Sequence, residues 1–454
     1  MSKKRRGQFY VLPNRKCEYA TIEEQKQANQ EDVEKYFLVL KSYVLSIIEA
    51  FAMIPDPRQP WKIKHKQTVL LFFAVILFAL GYESRRQANP EVTEPAVLAV
   101  LRAVFPEIDT SPHMDTVARF LETVSVKEIE SIYISVVKEL IHNRKFQRMM
   151  VDGRYVVAID GTQKWSGGTM WSPNLLRKTH ANGNTTYQVY VLEAALVGPN
   201  QIAIPILSEF CENDPEAAAG AKKQDCELKA FYRLSARLKS LFQHTPLMIV
   251  ADGLYPKGPV IEICNKYHWD FMIGLPDDCL TGVWQQAENI RDGKSCDSQP
   301  GQESTNTWGD REQYFWWANY IVYRWTDNDG NSHQVILHLV VCHETWQEEK
   351  TVYTTTTAGR EVLLKELVTK EKKWAWISAK PIRHTNVLER CNYAARSRWY
   401  IEENILTEKT RGYNYEHMFS FDWVRLSCRD GIGPVDPFAG ALWHGRKRLE
   451  VLSS

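Results

Sequence analysis

Between residues 155 and 276 the chain alternates short apolar runs with amphipathic stretches, and two of those runs close on an aspartate. YVVAID (155–160) ends on Asp160, and TPLMIVADGLY (245–255) carries Asp252 just past its apolar centre. Apolar runs of four to eight residues bounded by turn residues are the signature of strands buried on both faces. TYQVYVLEAALVG (186–198) and QIAIPILSEF (201–210), joined through Gly-Pro-Asn, predict two more strands. An amphipathic helix over 215–243, containing QDCELKAFYRL, comes before the Asp252 strand. A helix over 259–267 and a strand, WDFMIGLP (269–276), come after it.

The order is three strands, helix, strand, helix, strand, with carboxylates closing the first and fourth strands. That is the layout of an RNase H-like domain, an α/β fold with a mixed sheet flanked by helices. KWAWISAK (373–380) adds one more buried strand and leads into NVLERCNYAARSRWYIEENILTEKTR, a predicted helix from Asn386 to Arg411. Asn386 is a good N-cap with Glu389 three residues on, and Gly412 a good stop. Arg398, Glu402 and Lys409 recur at offsets of four and seven, so they share one helix face, with the two cations about 16 Å apart along the axis. Arg396 and Arg411 lie close by. Taken alone, this is also what an ordinary solvated face with i,i+4 ion pairs looks like.

The remaining segments give the domain plan. Residues 1–30, opening MSKKRRGQFY, form a basic tail without the apolar core of a secretory signal. Residues 31–150 read as helical: a helix over 31–54, a break at IPDPR (54–58), and the apolar run VLLFFAVILFALG (69–81). That run is shorter than the roughly 20 residues that span a bilayer, so it is a buried helix and no membrane is expected. SPHMDTVARFL, from Ser111, reads as a helix opening. Arg58, Lys62, Lys64 and Lys66, around Trp61, make the best basic patch of this part; Ser84, Arg85 and Arg86 follow the buried helix, and a helix-turn-helix there would serve a major groove. A bundle that merely packs on the next domain explains the pattern equally well.

The catalytic core then runs over 151–276 and 371–425. Between its parts, 277–370 reads as a β-rich insertion: a Gly/Ser/Asp-rich loop over 291–310, then EQYFWWANYIVYRW (312–325) and HQVILHLVVCHETW (333–346) joined by the turn TDNDGNS. Residues 426–454 form a C-terminal tail. A net charge of +1 does not announce nucleic acid, so any phosphate-binding surface must be local. Nine cysteines without a CxxC pair argue against a zinc ribbon and for a reducing compartment, hence a cytoplasmic protein.

Asp160 and Asp252 are expected on adjacent strands, and Glu402 on a helix packed over the same sheet. A strand-end aspartate is often only a turn or cap residue. Three converging carboxylates, however, repel one another unless a cation is present. Hard oxygen ligands suit Mg²⁺ or Mn²⁺, and two such ions can drive phosphodiester displacement.

In RSRWYIEENILTEK, the spacing of Arg398, Glu402 and Lys409 resembles the Y-x2-R-x3-E-x6-K signature of DDE insertion-sequence transposases. AIDGT, VADGLY, QDCE, GYNYEH and IPDPR before an apolar helix are similar to that family too. The tyrosine slot departs from it: Ala395 stands there, and the nearest tyrosine is Tyr393. The resemblance implies metal-dependent cleavage of double-stranded DNA at element ends and strand transfer into target DNA, by a dimer in the end complex, on the nucleoid. It implies that Asp160, Asp252 and Glu402 hold two Mg²⁺ or Mn²⁺ ions. Arg398 and Lys409, with Arg396, Arg411, Lys62, Lys64 and Lys66, would contact DNA. Relatives with a β insertion stack a flipped base on an aromatic residue; Trp316, Trp317, Trp325 and Trp346 are candidates for that role or for the core. An RNase H-like nuclease without strand transfer, or a decayed or domesticated DNA-binding protein, are the alternatives.

Overall fold

The computed structural model describes residues 45–79, 85–199, 201–213, 224–293, 302–327, 329–355 and 361–410. The basic tail, the C-terminal tail, Arg411 and the Gly412 stop lie outside the described residues, as do 31–44 of the first predicted helix. What is described is mixed α/β, with one large mixed sheet.

The N-terminal part is helical: α1 (45–52), α2 (Gln67–Ala79), α3 (Arg85–Val92), α4 (Pro95–Val104), α5 (Met114–Leu121) and α6 (Val126–His142). Val69, Leu70, Leu71, Phe73 and Ala74 of α2 are fully buried against α5 and its neighbours, as expected of the apolar run. No described helix is long and apolar enough to cross a membrane. The helix predicted to open at Ser111 begins at Met114, because the His113 ring accepts from the Asp115 N–H and takes the capping place. α6 spans two cores: Ile129 packs among the helices, while Ile134, Val137 and Leu140 pack under the sheet.

The strands are β1 (Met150–Val151), β2 (Arg154–Gly167), β3 (Leu176–Thr179), β4 (Thr185–Val197), β5 (Ala203–Cys211), β6 (Leu247–Ala251), β7 (Asp270–Gly274), β8 (Gln302–Trp308), β9 (Arg311–Thr326), β10 (Ser332–Thr355) and β11 (Glu361–Ser378). Their order is β3-β4-β2-β6-β7-β11-β10-β9-β8, with β1 on β2 and β5 on β4. β2, β6 and β7 are parallel to one another, and the other pairings are antiparallel. Helices α7 (Glu227–Leu241), α8 (Gly258–Lys266) and α9 (Thr281–Arg291) cover one face, and α10 (Trp399–Thr410) the other. Both faces being covered, Tyr155 to Ile159 are buried without alternation.

Three expectations change. The segment 277–370 opens with a helix, α9, whose Val283, Trp284, Ala287 and Ile290 are buried. Part of the predicted loop 291–310 is an edge strand, β8. The hairpin β9–β10 is no separate unit, since β10 pairs with β11 and β11 with β7, which carries the same sheet onward.

The predicted helix Asn386–Arg411 is the largest revision. Its course is a π turn (Glu389–Ala394), a 3₁₀ turn (Ala395–Arg398), then α10. Asn386 faces backwards, its Oδ1 accepting from the Arg383 N–H at 2.8 Å. Glu389 accepts from the Asp152 N–H at 2.9 Å instead of closing a capping box. A fully buried Arg390, bound to Asp152, Asp270 and Ser378, holds the π turn in place.

Candidate active site

β2 continues past the end of β6. Ala158 is its last residue paired with β6, opposite Val250, while Asp160 still pairs with Glu193 of β4. Asp160 therefore sits inside a long strand, at the point where the parallel neighbour has ended and an opening is left beside it. One carboxylate oxygen accepts from the Gly161 N–H at 3.0 Å. Asp252 follows β6 directly and caps its own turn, Oδ1 accepting from the Leu254 N–H at 2.9 Å. The ordinary turn role is thus real, and it occupies only one oxygen of each aspartate. A Cβ on Gly253 would lie 2.5 Å from the Pro276 ring, so the second aspartate's turn is packed tightly against the end of β7.

The third carboxylate arrives on α10, which lays Ile401 and Ile405 onto the β2/β6/β7 face. Glu402 turns toward β2, and Arg398 bridges the two elements: its Nη1 is 2.6 Å from Glu402 Oε1 and 3.9 Å from Asp160 Oδ2. The contact is ionic, and this nitrogen has no aligned hydrogen-bond acceptor. The Asp160 carboxyl is raised to about 7, by burial above all; Arg398 pulls against this, and the nearby Glu402 and Asp252 charges add to it. Asp160 therefore feels both of the other carboxylates. Yet among the described residues no group of three or more His, Cys, Asp or Glu stands close enough to hold a metal ion. The donors fit a hard divalent cation in kind, and Arg398 is the group that now occupies Glu402.

Lys409 reaches the same strand, donating to the Gln163 carbonyl at 3.0 Å. A bulge between Gln163 and Trp165 interrupts the β2–β4 ladder there, which releases that carbonyl. Arg398, Glu402 and Lys409 thus all face β2, while Glu403 is exposed and bound to Trp399 Nε1 at 2.9 Å. Glu403→Gln is accordingly expected to leave stability within about 0.5 kcal/mol of wild type, in line with surface positions generally. A urea melt checks this, and a large loss would mean that the helix phase is wrong.

The other proposed DNA contacts separate into two kinds. Lys62 and Lys64 are exposed next to Trp61, and Lys66 is exposed but paired with Glu107 at 2.9 Å. Arg396, in contrast, is drawn inside. It pairs with the fully buried Glu344 and lies over the rings of Trp308 and Trp374, at 4.9 and 4.8 Å. Glu344 also accepts from Gln313, Arg311 and Trp374. Burial alone would raise its pKa, but these donors hold it below the usual range. Of the four tryptophans considered, Trp316 and Trp317 are core, and Trp325 is stacked on His333 and Tyr323. Trp346 lines a cleft of about 570 Å³ together with Trp308, Trp374, Trp399, Arg396 and Arg398. Ala395, in the tyrosine slot, is buried and lines this cleft without a phenol, and Tyr393 is exposed outside its lining.

Sequence reasoning missed Glu227. It lies at the start of α7, behind Gly161, and accepts from Tyr190 Oη at 2.8 Å and Tyr255 Oη at 2.6 Å. The signal was in QDCE, whose glutamate opens the helix.

No curated protein matches the chain. Residues 48–137, from α1 into α6, match the family model described as DDE_Tnp_1-associated. That helical segment points to the DDE transposase family.

Proposed function

We propose that the protein is a DNA transposase that cuts at the ends of its element and joins them to target DNA. Asp160, Asp252 and Glu402 would be the metal-holding carboxylates, on an RNase H-like core of β2, β4–β7 and α10. The observation that carries this reading is a half-buried aspartate, raised to about 7, beside two further carboxylates and an arginine at the open end of parallel strands. The match over 48–137 supports it independently.

Divalent Mg²⁺ or Mn²⁺, as a pair, would supply an activated water or 3′-hydroxyl and charge stabilisation for the leaving oxygen. The chain's own part is positional. β2 and the turn after β6 bring two carboxylates to one end of the sheet, and α10 adds the third. Arg398, with an unaligned N–H beside the site, suits a non-bridging phosphate oxygen near the cut. Arg311 lies over the Trp346 ring at 4.3 Å and Arg396 over Trp308 and Trp374, so an unpaired base would stack on these rings, for about 1–3 kcal/mol, only by displacing a guanidinium. Exposed Lys62 and Lys64 beside Trp61 suit the duplex outside the site. The partners are the two element ends and target DNA, held by a dimer on the nucleoid.

The direct test is to incubate the protein with its flanking genomic DNA and Mg²⁺ and map the cut ends. Joined products identify strand transfer, and cleavage alone favours a nuclease. Absence of both, with DNA binding retained, favours a domesticated binder. The phosphate contacts have their own test: a salt titration of end binding in Mg²⁺-free buffer. Each lost phosphate contact should lower the log–log slope by about 0.9. Lys62→Ala and Lys64→Ala should each do so, and so should Lys409→Ala if phosphate draws it from the Gln163 carbonyl. An unchanged slope for Lys409→Ala returns that lysine to a strap between α10 and β2.

A further inference from the structure

The face of β2 opposite Arg398 carries a second polar group at the same height. Glu227 is half-buried in the first turn of α7, where the helix N-terminus favours a negative side chain. Its two oxygens are divided between two elements. Oε2 accepts from Tyr190 of β4, the strand paired with β2, and Oε1 accepts from Tyr255, three residues beyond Asp252. Tyr255 is fully buried, and its N–H bonds back to the Asp252 carbonyl at 3.3 Å, closing the turn that presents this aspartate.

The other aspartate is tied to the same group through its neighbour. A Cβ on Gly161 would stand 2.5 Å from Tyr190 Oη and 2.7 Å from Glu227 Oε2. Only glycine allows the strand to lie this close, so β2 rests on the Glu227–Tyr190 pair immediately after Asp160. Both phenols are raised well above their ordinary range, by burial first and then by Glu227, and both feel the Asp160 charge.

We propose that Glu227 is a positioning residue that fixes the separation of Asp160 and Asp252, by gripping β4 and the Asp252 turn from behind Gly161. This rests on the transposase reading, since the separation matters only if the two aspartates share a cation. Glu227 itself takes no part in the chemistry and touches no substrate. A buried phenol needs an acceptor in any case, so a purely structural role for Glu227 is the competing explanation.

The two are separated by measurements on the full chain, with Mn²⁺ as the probe. Free Mn²⁺ is read by electron paramagnetic resonance without DNA, and the Mg²⁺ dependence of end cleavage is read in parallel. Glu227→Ala should weaken Mn²⁺ binding about 10-fold or more, as removal of supports behind metal ligands does, and should raise the half-saturating Mg²⁺ similarly. Glu227→Gln should recover most of both, because an amide can accept from one phenol and donate to the other. Tyr190→Phe and Tyr255→Phe should fall between.

Wild-type Mn²⁺ affinity and Mg²⁺ dependence in Glu227→Ala would overturn the proposal. So would a Gln variant as impaired as Ala, which would make the charge itself the active element. If Glu227→Ala does not fold, Tyr255→Phe, which removes one hydroxyl, carries the same comparison. Wild-type protein that neither binds Mn²⁺ nor cuts DNA rejects the transposase reading and the positioning role with it. Wild type that does both, with Glu227→Ala unaffected, rejects the positioning role alone.

Discussion

Asp160→Asn is expected to remove cleavage and, in the absence of metal, to make the protein more stable. The first effect follows from the proposed role: without this carboxylate the site loses a metal ligand, and the rate should fall about 10³-fold or more, equivalent to about 4 kcal/mol of barrier. Asp252→Ala and Glu402→Ala should do the same.

The second effect follows from burial. The Asp160 carboxyl rises from 3.8 to about 7 in the folded chain. The unfolded chain therefore releases this proton from about pH 4 upward, whereas the folded chain keeps it until about pH 7. Wild-type stability should fall across that window and stay low above it. At 1.36 kcal/mol per pH unit the total approaches about 4 kcal/mol. Asparagine has no such proton, so its advantage should be close to nil at pH 4 and complete at pH 8. Mg²⁺ should reduce the gap by stabilising wild type alone. Urea melts at pH 4, 6 and 8, with and without Mg²⁺, test this. An Asn variant less stable than wild type at pH 8 would mean that Asp160 is not held against its burial.

Much of the sheet was legible because its strands are apolar runs of the right length. The parallel trio β2, β6 and β7 and the antiparallel β4 and β5 lie close to their predicted places. Apolar patterning reports burial and carries no partner information. Nothing in EQYFWWANYIVYRW states that this strand joins the same sheet through β10 and β11, and that pairing redefined the supposed insertion. β8, QESTNTW, has almost no apolar residue; it is a strand because it forms an edge beside β9. α9 was hidden by its Gly and Gln residues, although Val283, Trp284, Ala287 and Ile290 fall at helical spacing.

At the site, the residue types and the i,i+4 spacing revealed Arg398 and Glu402, and both face β2. The 100° rule worked there because Arg398 is the last residue before α10 and Glu402 lies in its first turn. It fails upstream, where the π turn adds a residue per turn. Arg396, in the 3₁₀ turn that follows, points inward and is taken by Glu344. The Tyr190–Glu227–Tyr255 cluster joins residues 28 and 37 positions apart. No spacing rule could have assembled it.

The π turn itself rests on Arg390, and its removal should be the most costly single change outside the carboxylates. Arg390 is fully buried and donates to Asp270 through both terminal nitrogens, at 2.9 and 2.8 Å. It also donates to Asp152 and to Ser378 Oγ, each at 2.9 Å. Burial pushes the Asp270 pKa up, but Arg390 above all, with Lys380, holds it below its ordinary range. Asp270 therefore favours folding above its unfolded pKa of about 4, and that contribution should be lost as pH falls through the lower folded value.

Arg390→Met would leave a fully enclosed carboxylate with only Lys380 and Arg154, each at 3.6 Å. The expected cost is about 3–5 kcal/mol near neutral pH, because an uncompensated buried charge is what remains. Adding Asp270→Asn should return part of that loss, since the stranded charge goes with it, and this sets the sign of coupling in a double-mutant cycle. Activity should suffer as well, because Arg390 anchors the turn that leads through Ala395–Arg398 to Glu402. A single Arg390→Met variant within about 1 kcal/mol of wild type at pH 7, or a double variant worse than the single, would refute this account of how α10 is held over the sheet.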